Sequence, residues 1–222
     1  MSSEGHPSEA RAAFLLRLRE SGIRDLGVLR AMEAVPRSQF VFPQHADLAN
    51  REIDLPTECG QTVPSPLFLA RLLIGSRLSL DMRVLLIGLA SGYAAALLGQ
   101  LVRDVVAVDR HRTQVAAAAE RFAAFGLNNV ETVWSDVLSL PLREPFDRVL
   151  ILARLDVLPA AIWKQVRTGG AIIHGRAAAD GRDGPGTQVL VRVEQQVDGI
   201  GKQAVICPSR LPAWRGGVAG TL

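Results

Sequence analysis

Cysteine is almost missing from this chain: Cys59 and Cys207 are the only two in 222 residues. Two such residues do not make a disulfide framework, and no histidine stands at metal-ligand spacing from either. Lysine is scarce as well, and arginine greatly outnumbers it, a compositional bias without functional content. No run of basic residues occurs, and a net charge of +3 is too small to argue for nucleic acid as a partner. No uninterrupted apolar run reaches membrane-spanning length. The N-terminus is polar and carries an acid, so it does not read as a signal peptide. A cytoplasmic location is therefore expected. Internal repeats are absent. What remains is ordinary for a globular protein: 48% hydrophobic and 21% charged residues, in a length suited to one large domain or a domain with an extension.

The first third of the chain reads as helical. Residues 1–7 are expected to be disordered. Ser8 can cap a helix to about Glu20, with Ala12, Leu15, Leu16 and Leu18 as its apolar face and Gly22 ending it. Asp25 can cap a second helix to about Val35, stopped by Pro36, with Leu26, Leu29 and Met32 inward. Residues 36–65 have no sustained period and several prolines, which predicts a long structured loop. A third helix is expected over 66–77, with Pro66 at a tolerated first-turn position. From residue 82 strands and helices alternate: strands at 83–87, 104–109, 129–134, 146–152 and 170–174, helices at 92–102, 111–125 and 157–167. This alternation predicts a parallel sheet covered by helices on both faces. Residues 179–186 read as a flexible loop. Strands at about 187–196 and 202–207 are expected to pair antiparallel around Asp198-Gly199. The division that follows is a helical extension with a loop over 1–78 and a Rossmann-like core over 79–222, forming one compact unit.

The chemistry-bearing features fall at the carboxyl ends of the predicted strands, where parallel sheets bind ligands. Arg83 to Ile87 run into the turn Gly88-Leu89-Ala90-Ser91-Gly92, and an Ala-rich helix follows. The small residues recur at i, i+2 and i+4, unlike the dinucleotide fingerprint, and match the spacing used for S-adenosylmethionine. Asp109 ends the next strand, about 20 residues on, where a carboxylate can accept ribose hydroxyls. The alternative for Asp109 is a cap for the helix near His111. Ser135-Asp136-Val137 follow the third strand, where Asp136 or a backbone amide can bond an adenine; the alternative is a helix N-cap. The loop Glu58-Cys59-Gly60-Gln61-Thr62-Val63-Pro64-Ser65-Pro66 packs polar groups into a proline-restricted backbone. There Ser65 is either a site residue or a helix cap. None of the four histidines is assigned as a catalytic base.

These segments together resemble the protein-L-isoaspartate O-methyltransferase family. Gly22-Ile23-Arg24-Asp25, Val35-Pro36-Arg37-Ser38-Gln39-Phe40-Val41, Gly60-Gln61-Thr62-Val63, Val84 to Gly88 with Ser91-Gly92-Tyr93, and Gly126-Leu127-Asn128-Asn129-Val130 fit its pattern in order and spacing. The resemblance implies a class I S-adenosylmethionine-dependent methyltransferase fold: α/β, a seven-stranded, mostly parallel sheet with an N-terminal helical extension. It implies methyl transfer from S-adenosylmethionine to the free carboxylate of isoaspartyl residues in damaged proteins, leaving S-adenosylhomocysteine. It assigns Gln61, Gly88, Ala90, Ser91, Gly92, Asp109, Arg110, Asp136 and Val137 to the cofactor and Thr62 and Ser65 to catalysis, with no metal. Five positions depart from the family pattern: Leu86 replaces an acid, Ala90 a glycine, Pro64 a serine, and Ser135 and Val137 the two glycines that flank the retained Asp136. Those departures define competing readings: a non-catalytic member kept as a binding module, or a carboxyl methyltransferase with a different substrate.

Overall fold

The computed structural model describes residues 7–141, 144–178, 187–197 and 199–219. The segment 179–186, the residues before Pro7 and Asp198 lie outside the described residues, so the expectations placed on them are untouched. Three helices open the chain: α1 Pro7–Glu20, α2 Leu26–Ala34 and α3 Pro66–Gly75. The Asp25 carboxylate caps α2 by accepting from the Val28 amide at 2.9 Å. Between α2 and α3 run short 3-10 turns and a small hairpin, β1 Leu55–Pro56 with β2 Thr62–Val63.

The remainder alternates: β3 Arg83–Ile87, α4 Tyr93–Gly99, β4 Asp104–Asp109, α5 Arg112–Ala124, β5 Val130–Trp134, β6 Phe146–Arg154, α6 Ala160–Trp163, β7 Val166–Ala177, β8 Gln188–Gln196 and β9 Gly199–Ser209. The sheet has seven strands in the order β5-β4-β3-β6-β7-β8-β9. The β5-to-β7 portion is parallel, and β8 and β9 each join antiparallel. Side chains alternate faces along a strand. Val84 and Leu86 of β3 therefore enter the core shared with α1–α4, while Leu85 and Ile87 enter the opposite one beside α6.

Several sequence expectations are corrected. On α1 the buried stripe is Phe14 and Leu18; Leu16 is 56% exposed. On α2, Leu26 is 58% exposed at the first turn, and Val28, Leu29, Ala31 and Met32 go inward. The helix expected over 157–167 shrinks to Ala160–Trp163. Pro159 explains the late start, because the residue before a proline is pushed out of the helical region. The end is set by Val166, which pairs with Phe146 and begins a strand much longer than 170–174.

Candidate active site

The strand order changes direction between β3 and β6, and a crevice opens there at the carboxyl ends. It holds a cavity of about 480 Å³, lined by Gln61, Gly88, Asp109, Arg110, Asp136 and Val137 among others. That volume suits a small organic ligand. Six of the residues assigned to a cofactor thus converge. The wall also includes Ser135 of the third-strand candidate segment, and Cys59, His111, Leu152 and the C-terminal stretch Pro212–Arg215 with Gly217, which the sequence alone does not assign to the cofactor.

Asp109 is 7% exposed and fully engaged. Its Oδ2 accepts from the amides of Leu89 at 2.8 Å and Ala90 at 3.3 Å. Its Oδ1 accepts from the His111 amide at 2.9 Å and lies 3.0 Å from His111 Nδ1. A carboxylate offers about four lone-pair sites. Of these partners only the His111 ring can swing away without moving backbone. Asp109 therefore ties the glycine turn to the start of α5.

The turn needs left-handed backbone at Gly88 (φ 91), Ala90 (φ 47) and Gly92 (φ 91). A Cβ on Gly92 would meet Phe122 at 3.0 Å and Ala118 at 3.1 Å, so α5 packs directly on the turn. Ala90, Ser91 and Gly92 do not border this cavity. Ser91 is 1% exposed and its carbonyl accepts from Arg121 at 3.0 Å. Ser91 and Gly92 therefore lie on the α5 side of the turn. Alanine in the left-handed region costs about 1–2 kcal/mol. Ala90→Gly should accordingly raise the melting temperature in a thermal scan while leaving S-adenosylhomocysteine affinity nearly unchanged. A lower melting temperature would show that the alanine is not strained.

Asp136 occupies the N-cap of a 3-10 turn, its Oδ1 accepting from the Leu138 amide at 3.0 Å. Its Oδ2 accepts from the Gly217 amide at 2.9 Å. The Arg110 carbonyl accepts from the Ala219 amide at 3.0 Å, and the Arg154 amide donates to the Pro212 carbonyl at 2.7 Å. The C-terminal stretch is thereby strapped across the strand ends. The cap reading of Asp136 holds, and the same side chain also faces the cavity.

The polar loop is moored from two sides. Arg37, 2% exposed, donates to the carbonyls of Ala49 at 2.9 Å, Ile53 at 3.0 Å and Val63 at 2.9 Å. Burial lowers its pKa, with Tyr93, Asp54 and Glu52 opposing. From the other side Gln114 of α5 donates to the Glu58 carbonyl at 2.7 Å, and Arg121 lies 3.8 Å from the Glu58 carboxylate. Burial pushes the Glu58 carboxyl up, but the Thr57 hydroxyl, its own backbone and Arg121 outweigh this and hold it below its ordinary value. That anchor is present above the ordinary carboxylate range and is lost as pH falls through the depressed value.

The loop separates two cavities. Gln61 faces the first; Thr62, Pro64 and Ser65 line a second, of about 560 Å³. Leu152 and Pro212 belong to both walls, so the cavities adjoin. Ser65 sits at the N-cap position of α3, yet its side chain makes no cap bond. The first-turn amides are met by acids of the preceding loop: the Ser65 amide donates to Asp54 Oδ1 at 2.8 Å and the Leu67 amide to Glu52 Oε2 at 3.0 Å. Ser65→Ala should thus cost under about 0.5 kcal/mol of stability, whereas Glu52→Ala should cost about 1 kcal/mol as a lost cap. Parallel chemical denaturation of the two variants checks this; equal losses would return the capping role to Ser65.

A parallel sheet with a small-residue turn after its first strand, an acid after the second and a cavity at the reversal point defines the class I S-adenosylmethionine-dependent methyltransferases. Comparison with known proteins narrows the class. A family model for protein-L-isoaspartate(D-aspartate) O-methyltransferase matches residues 9–206. A protein-L-isoaspartate O-methyltransferase of Xanthobacter autotrophicus is 43% identical over 198 residues, covering 89% of this chain and 88% of that one. One from Rhodopseudomonas palustris is 38% identical over 217 residues, covering 97% and 98%. A solved protein-L-isoaspartate O-methyltransferase superposes with a TM-score of 0.78 at 22% identity, covering 93% of this chain and 66% of that one. A Plasmodium falciparum structure described as a β-aspartate methyltransferase in complex with S-adenosyl-L-homocysteine gives 0.75 at 17% identity, covering 91% and 97%. The chain belongs to the protein-L-isoaspartate O-methyltransferase family.

Proposed function

We propose that this protein transfers a methyl group from S-adenosylmethionine to the free carboxylate of isoaspartyl residues in damaged proteins. The observation that carries the reading is the family match across residues 9–206, which spans both the loop and the glycine turn. The geometry supports it. A cofactor-sized cavity adjoins a second cavity at Leu152 and Pro212, giving donor and acceptor separate chambers with a common wall. The cofactor supplies a methyl group on a positively charged sulfur.

The chain's own residues have the remaining work. Asp109 holds the turn and offers its carboxylate to the ribose once His111 yields. Asp136, Val137 and Arg110 border the same cavity, and Gln61 reaches it from the loop. Thr62 and Ser65 line the second cavity, where their hydroxyls would meet the acceptor. An acceptor carboxylate is already ionised at neutral pH, so the reaction needs no general base. Placement can then supply much of the acceleration, roughly 7–11 kcal/mol for well-oriented groups. The methyl ester formed collapses to a succinimide without further help from the protein.

Two departures from the family pattern bear less on the site than their positions suggest. Leu86 is fully buried in the core, and Ala90 is off the cavity wall. Pro64 borders the second chamber, and Ser135 and Val137, where the family pattern has glycines, border the first. The test is transfer of a labelled methyl group to a synthetic isoaspartyl peptide, with the matching aspartyl peptide as control. Base-labile methylation of the first and not the second is expected. S-adenosylhomocysteine binding without methylation of any isoaspartyl peptide would overturn the substrate assignment.

A further inference from the structure

The acceptor chamber carries charges to which methyl transfer by itself gives no role. Its walls include the acids Glu52 and Asp54 and the arginines Arg71 and Arg210. The acids are committed. They accept from the Leu67 and Ser65 amides, the donors at the positive end of α3 that could otherwise receive a carboxylate. Neither arginine has a hydrogen bond or ion pair with another described residue. Arg71 lies one turn along α3 from Leu67, on the same helix face. Arg210 directly follows β9. The two elements are in close contact, since a Cβ on Gly75 would meet Ile206 at 2.6 Å. Arg71 also acts electrostatically on Cys207, a wall residue on β9: burial raises the thiol pKa and Arg71 opposes it.

We infer that Arg71 and Arg210 are the carboxylate-capturing residues of the acceptor chamber, specificity-determining groups that draw in the anionic acceptor. This rests on the isoaspartyl reading. A guanidinium suits the task because its planar fork matches a carboxylate and stays charged. One acceptor oxygen is held while the other forms its bond to the methyl carbon. The carbon–sulfur bond breaks with its electron pair retained by sulfur, so a carboxylate and a sulfonium become a neutral ester and a neutral thioether. No proton moves. The guanidinium contact is strongest before transfer and weakens as the carboxylate loses charge. Such a contact aids capture and product release rather than the chemical step.

The experiment is steady-state kinetics of full-length Arg71→Gln, Arg210→Gln and the double variant, with an isoaspartyl peptide at saturating S-adenosylmethionine. KM for the peptide should rise at least about tenfold in the double variant, the scale of a lost charge-assisted hydrogen bond. The saturating kcat should stay within about twofold, as befits lost ground-state binding. Arg71→Lys and Arg210→Lys should recover part of the KM, because charge is kept and the fork is not. Calorimetric affinity for S-adenosylhomocysteine and the melting temperature should not move. A wild-type protein that methylates the peptide alongside a double variant of unchanged KM overturns the inference and leaves the function standing. A loss confined to kcat, or an equal loss of S-adenosylhomocysteine binding, overturns it too. A wild-type protein inactive on every isoaspartyl peptide removes the functional reading itself.

Discussion

Asp109→Ala should weaken S-adenosylhomocysteine binding at least about tenfold and lower the melting temperature at the same time. The two effects have one cause. The carboxylate is the acceptor proposed for the ribose, worth roughly 1.5–3 kcal/mol as a charge-assisted bond. It is also the acceptor for the Leu89 amide, and Leu89 is 1% exposed. Removing it leaves a buried donor unsatisfied, at about 1–3 kcal/mol. Asp109→Asn keeps the shape but turns an NH2 group toward donors on one side, so it should fall between alanine and wild type. His111→Ala gives the complementary result: the turn keeps its amide contacts, one lone-pair site is freed, and affinity should not fall. Calorimetry and a thermal scan on the three variants decide the matter. Unchanged affinity in Asp109→Ala would remove Asp109 from the ribose site, whatever happens to stability.

Arg37→Met should destabilise the fold more than any of the other substitutions. One guanidinium satisfies three carbonyls, two of those bonds being buried. Methionine fills much of the volume and supplies no donor. Breaking a buried charged network of this kind costs about 3–5 kcal/mol. For a chain of this size each kcal/mol corresponds to about 2–4 °C of melting temperature. Thr62 and Pro64, which flank Val63, line the second cavity, so under the proposed function peptide KM should rise as well. Arg37→Lys should rescue little, since a compact ammonium cannot reach three separated carbonyls. A melting shift under about 2 °C in Arg37→Met would show that water can replace the guanidinium.

The sheet is legible in the sequence because strands buried on both faces are continuous apolar runs bounded by turns. Arg83–Ile87 and Asp104–Asp109 match their expected bounds to the residue, and the antiparallel pairing of β8 with β9 agrees with expectation. The helical extension is legible in its ends more than in its faces. Asp25 and Gly22 announce a cap and a stop through local chemistry, whereas Leu16 and Leu26 are apolar side chains that packing leaves outside. The site divides in the same way. Gly88, Asp109 and Asp136 sit at strand ends and can be placed by spacing. Ser91 and Gly92 cannot be separated from the wall without knowing that α5 presses on the turn from behind. The strap from Pro212 onward has no period or spacing to betray it, because it is held by backbone contacts. Arg37 is legible only as part of a family pattern, since nothing in a sequence marks an arginine as buried.

The strap also bears on when the protein can begin to work. Ribosomes deliver a chain from its N-terminus at about 5–20 residues per second, and early parts can fold before later ones appear. The glycine turn, Asp109 and the polar loop are all available well before Pro212–Arg215 and Gly217, which complete the wall of the first cavity. A nascent chain stalled ahead of that stretch would possess most of its sheet but an open-walled pocket. A chain that ends before Pro212 should therefore bind S-adenosylhomocysteine more weakly than the full chain, a difference that calorimetry reads.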